Sequence, residues 1–72
     1  MSILQDKLIE NENNQANTEL IKNHIYAIAE NNGVRVEIQD DYQVFWYGNE
    51  NSVDETIQET VTSLKELHPE LF

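Results

Sequence analysis

The chain has no cysteine, one proline and two glycines in 72 residues. The missing thiols exclude disulfide staples, thiolate metal centres and a cysteine nucleophile together. So little proline and glycine excludes a linker or a fibrous repeat. Bases are also scarce: Lys and Arg total 4 against 14 Asp and Glu, for a formal net charge of −10. Long apolar runs are absent too. Val44-Phe45-Trp46-Tyr47 is among the longest, far short of the ~20 residues a membrane helix needs. The segment Met1-Ser2-Ile3-Leu4-Gln5-Asp6 has neither the basic nor the apolar region of a secretion signal, so a cytoplasmic protein is expected.

What is present is enough for a fold. The chain is 39% hydrophobic and carries Trp46, three Tyr and two Phe, which separates it from a disordered acidic tail. A single small domain over residues 1–72 is expected, with residues 1–16 forming a separate short helix or a frayed arm. A domain this size buries only about 60% of the surface its unfolded chain exposes, so self-association or a partner is the expected support. The charge argues against direct binding to nucleic acid or to an anionic membrane, since like charges repel. It favours basic protein surfaces.

Hydrophobic spacing divides the chain into four segments. Ile3 to Glu10 suits a short amphipathic helix. Asn11 to Asn17 is polar throughout and rich in Asn, which competes for its own backbone, so a break is expected there. A second helix follows from about Thr18 to Asn31, with Leu20, Ile21, Ile25, Ile28 and Ala29 on one stripe, Asn17 as N-cap and Asn32-Gly33 as the stop. Val34 to Ile38 and Gln43 to Tyr47 read as a hairpin, its turn within Gln39-Asp40-Asp41-Tyr42. Without glycine, that turn is expected to take three or four residues. Ser52-Val53-Asp54-Glu55 fits a capping box, and Val53, Ile57, Val61, Leu64 and Leu67 or His68 continue as an apolar stripe until Pro69. Leu71 and Phe72 are expected to fold back on the core. The resulting class is α+β, a two-layer α(α)ββα arrangement with the antiparallel hairpin packed against helices.

Signs of catalysis are few. The sequence has no glycine-rich phosphate loop, no zinc-binding HExxH and no GxSxG. His24 and His68 lack the spacing of a metal pair, and His24 reads as a surface or boundary residue. The acidic turns do not match a calcium loop. No enzyme activity, cofactor or metal is expected.

Two features point to binding instead. Asp54, Glu55, Glu59 and Glu66 lie off the apolar stripe of the last helix, and Asp40, Asp41 and Glu50 add charge. Such a surface competes for Lys- and Arg-lined channels that hold nucleic acid. In the second strand, Val44 and Trp46 point one way and Phe45 and Tyr47 the other. If helices cover one face, aromatic side chains remain on the other. Phe45, Trp46 and Tyr47 are therefore the candidate anchors.

The layout resembles small acidic phage-encoded inhibitors of bacterial defence, in particular DNA-mimicking anti-CRISPR proteins that block Cas nucleases. The resemblance lies in an N-terminal helical segment, a hairpin, the link Tyr47-Gly48-Asn49-Glu50-Asn51-Ser52-Val53-Asp54-Glu55 and an amphipathic helix. It covers about half the chain, and the strongly acidic C-terminal extension of such inhibitors is missing here. It implies a protein inhibitor, acting in the host cytoplasm, that binds the basic nucleic-acid-binding surface of a partner such as a nuclease. The alternative is a homodimeric structural or adaptor module whose acidity serves solubility only. Its copies would pair through the exposed hairpin face or the N-terminal helix.

Overall fold

Ser2 opens the first helix by accepting the Gln5 N–H on its hydroxyl oxygen at 3.0 Å. The computed structural model describes residues 2–72, and Met1 lies outside the described residues. Helix α1 spans Ile3–Glu10. Leu4 and Leu8, four apart on one face, are fully buried, so α1 belongs to the core and is no frayed arm.

Asparagine side chains build the turn that follows. Asn11 donates its amide to the Lys7 carbonyl (2.8 Å), and Asn17 donates its own to the Asn11 side-chain oxygen (3.0 Å). Asn14 accepts the Asn17 N–H at 3.1 Å. Helix α2 therefore covers Gln15–Asn31 with Asn14, not Asn17, as N-cap. The expected break is present but shorter, because Asn17 is tied back to Asn11 while Asn14 is free to cap. The far end closes as the Asn-Gly stop predicts. Gly33, at φ 71, donates to the Glu30 carbonyl, and Val34 donates to the Ala29 carbonyl at 2.8 Å. These two bonds form a Schellman stop, with Val34 buried beside it.

Strands β1 (Arg35–Ile38) and β2 (Val44–Tyr47) pair antiparallel. The register sets Arg35 opposite Tyr47, Val36 opposite Trp46, Glu37 opposite Phe45 and Ile38 opposite Val44. A three-residue turn, Asp40-Asp41-Tyr42, joins them, with Gln39 donating to the Gln43 carbonyl at 2.8 Å. Its last residue needs a left-handed backbone, and Tyr42 takes it at φ 68. Packing holds Tyr42 there: its ring lies against the core, with Lys22 Nζ 5.5 Å from its centroid.

Helix α3 runs Glu50–Leu67. Asn49 caps it by accepting the Asn51 N–H at 2.9 Å. The expected capping box at Ser52 and Glu55 therefore lies inside the helix, and the Ser52 carbonyl accepts the Thr56 hydroxyl at 2.7 Å. The buried face also differs from the expected stripe. Thr56, Thr60 and Leu64 are fully buried, Val53, Ile57 and Val61 are half-buried, and Leu67 is 63% exposed. At 100° per residue, the helix is turned by roughly 50° from the apolar reading. The threonines tolerate burial because each hydroxyl is satisfied within its own helix, Thr60 donating to the Thr56 carbonyl at 2.7 Å. Among the described residues, no buried side-chain N or O atom lacks a partner.

A final 3-10 turn, Pro69–Leu71, brings Leu71 and Phe72 back onto the core, as expected. The core joins Leu4, Leu8, Ile21, Ile25, Leu64 and Leu71. Val36, Ile38, Val44 and Trp46 pack on it from the hairpin. Three helices on one face of a two-stranded antiparallel hairpin make a small α+β fold.

Candidate protein-interaction surface

Strand alternation sorts the three candidate anchors. Trp46 shares the inner face with Val36, Ile38 and Val44 and packs half-buried against the core, so it is not the exposed outer-face anchor expected. Phe45 and Tyr47 lie on the outer face, 42% and 47% exposed, opposite Glu37 and Arg35. The outer face is thus a pair of half-exposed rings flanked by one charge of each sign.

All seven acidic candidates are exposed, but they do not form one row. On α3, Glu55, Glu59 and Glu66 fall within about 40° of one another around the axis, whereas Glu50 and Asp54 lie on a separate line about 100° or more away. Glu55 and Glu59 are ~6 Å apart along the axis, and Glu66 follows ~10 Å further on. Asp40 and Asp41 stand at the hairpin turn, at the opposite end of the ribbon from Glu50. Two of the seven also do local work. Asp41 accepts the Gln43 N–H at 3.2 Å, and Glu59 accepts the Asn32 side-chain amide at 3.2 Å.

The four Lys and Arg do little to cover this acidity. Lys7 and Lys65 both lie over the Phe72 ring, 4.9 and 5.8 Å from its centroid. Lys22 lies over Tyr42, and Arg35 lies 5.8 Å from the Tyr47 centroid. All four cations of the chain face aromatic rings, each such contact worth about 0.5–1 kcal/mol when exposed. Among the described residues, carboxylates reach a basic nitrogen within 4 Å only at Lys7–Glu10 and His68–Glu70, both 3.3 Å. Sequence spacing did not reveal this, because three of the four bases meet rings that are distant in the chain. Tyr26, 43% exposed, was also missed as a surface residue. With Glu30, Val34 and Val36 it lines a cleft of about 480 Å³ between α2 and β1.

One polar cluster lies at the α2–α3 seam. His24 Nε2 and Ser63 Oγ share a hydrogen bond of 2.7 Å, and the His68 ring meets His24 edge-on at 6.4 Å between centroids. Burial first, and the neighbouring His68 second, hold the His24 imidazole below its ordinary value of 6.5. The unfolded chain therefore takes up this proton at a higher pH than the folded one. Stability from His24 is complete above about pH 6.5 and declines as pH falls from there through the folded value. Urea midpoints should drop between pH 7.5 and pH 5.5, and His24→Gln should flatten that slope. An unchanged slope in the variant would place its origin elsewhere.

Among the described residues, no group of three or more His, Asp or Glu is placed to hold a metal, and no helix is long and apolar enough to cross a membrane. Comparison with protein-family models, with curated proteins and with solved structures finds no match.

Proposed function

We propose that this protein is an acidic docking protein that covers a basic, nucleic-acid-binding surface of a partner protein and so inhibits or regulates it. One observation supports the reading most. Fourteen carboxylates stand against four Lys and Arg, and among the described residues only Lys7–Glu10 and His68–Glu70 pair within 4 Å, so nearly all the negative charge faces solvent uncompensated. The line Glu55–Glu59–Glu66 supplies the field, and Phe45 and Tyr47 supply apolar anchors on the hairpin. Glu55 and Glu59, ~6 Å apart along the axis, loosely imitate the regular negative charge of a phosphate strand. A nuclease of bacterial defence is the partner class that the resemblance to anti-CRISPR inhibitors suggests.

The test is a pull-down from bacterial lysate, washed at graded salt and competed with duplex DNA. Retained partners should be nucleic-acid-binding proteins that the DNA displaces. Their affinity should fall at least about tenfold between about 50 and about 200 mM salt. The triple variant Glu55→Lys/Glu59→Lys/Glu66→Lys should lose them. Affinity indifferent to both salt and charge reversal would overturn the proposal.

A further inference from the structure

We propose that two copies of this chain join along the outer edge of β1, antiparallel and centred on Val36, to make a four-stranded sheet. The backbone hydrogen bonds define which groups that edge offers. Gln39 donates to the Gln43 carbonyl, so this pair is a bonded one. Bonded and non-bonded pairs alternate along an antiparallel ladder. Glu37–Phe45 and Arg35–Tyr47 are therefore bonded pairs, and the N–H and C=O groups of Val36 and Ile38 point away from β2. They form an open edge.

That edge has no proline, no lysine and no bulge; the edge defences it does carry are its four-residue length and the charges of Arg35 and Glu37, and those charges can pair with a second copy. The cleft between α2 and β1 runs beside it, with half-exposed Tyr26 as its wall.

The side chains select the occupant and the register. With the two-fold axis at Val36, each Arg35 lies directly across from the second copy's Glu37, giving two opposite-charge pairs per interface. Moving the axis to Arg35 or to Glu37 sets like charges against each other. Opposite-charge pairs directly across a ladder stabilise it, and like pairs destabilise it. Centring on Val36 also makes Val36 a bonded pair with its own copy, as the outward-facing groups require. The ladder ends one pair further on, where the Val34 N–H is already given to Ala29 and only its carbonyl remains. The β2 edge has no such selection, since its exposed residues Phe45 and Tyr47 are uncharged.

Each copy carries a charge of −10, and Glu30 lies in the cleft beside the seam. Salt screens the repulsion between two chains of this charge more than it weakens the two contact pairs, so it should strengthen this association, the reverse of its effect on binding to a basic partner. The dimer does not rest on the docking proposal, and the two can fail separately.

Sedimentation equilibrium at low and at molar salt reads the outcome. The wild-type chain should dimerise, more tightly in high salt. Arg35→Glu and Glu37→Arg should each weaken the dimer roughly tenfold or more, and the exchange Arg35→Glu/Glu37→Arg should restore it. Circular dichroism confirms that each variant folds. In the wild-type chain, hydrogen exchange at the Val36 and Ile38 amides should slow as protein concentration rises. A monomer at millimolar concentration in high salt overturns the proposal. So does a dimer indifferent to the single changes, an exchange variant that stays monomeric, or amide protection independent of concentration.

Discussion

Leu8→Ala should lower the unfolding free energy by about 3 kcal/mol, to be read from urea denaturation followed by circular dichroism. Leu8 is 0% exposed and sits in the same cluster as Ile21, Ile25 and Leu64. Cutting it back leaves a cavity that α1 cannot close without shifting against α2. A domain of 72 residues holds roughly 4–11 kcal/mol in total, so this one change removes a large share. The number also measures how far α1 is part of the domain. If residues 1–16 were an arm lying loosely on a finished fold, truncating Leu8 would cost a few tenths of a kcal/mol and leave the midpoint almost unmoved.

Trp46 and Phe45 separate in the same measurement, although they are neighbours in one strand. Trp46→Ala should cost about 2–3 kcal/mol, discounted from a fully buried tryptophan because the ring is only half-covered. Phe45→Ala should cost less than about 1 kcal/mol, since its ring is 42% exposed on the outer face. Partner binding should show the opposite ranking, with Phe45→Ala and Tyr47→Ala weakening it. Equal stability losses at the two positions would mean that both hairpin faces are covered. Trp46 is the only tryptophan, so its emission reports on the inner face alone.

Much of this fold is legible in the residues because spacing carries it. The period of two in β2 separates Phe45 and Tyr47 from Val44 and Trp46. It does not say which pair the helices cover, and that needed the register and the core. The ends of α2 and α3 were displaced because Asn14 and Asn17, or Asn49 and Ser52, are equally able caps in isolation. Their competing hydrogen bonds decide between them. The buried face of α3 was hidden more deeply. Thr56 and Thr60 read as polar, yet each donates its hydroxyl to a carbonyl one turn back and presents a β-branched body to α2. Hydropathy alone therefore favoured Val53, Ile57 and Val61. Of the candidate site, exposure of the acidic residues follows from composition. Their division into two lines on α3 follows from the helical period, whereas the rings met by Lys7, Lys22 and Arg35 depend on contacts between distant parts of the chain.

The stop of α2 also governs how the protein ages. An Asn-Gly step is where a polypeptide most readily loses ammonia, as the glycine nitrogen attacks the asparagine side chain to close a succinimide ring. Here both reactants are engaged: the Asn32 amide donates to Thr56 (3.1 Å) and Glu59 (3.2 Å), and the Gly33 N–H is given to Glu30. The folded chain thus shields its most perishable side chain, and stored samples should acquire an extra carboxylate at position 32 chiefly through molecules that have come unfolded, which intact mass after storage with and without urea would read.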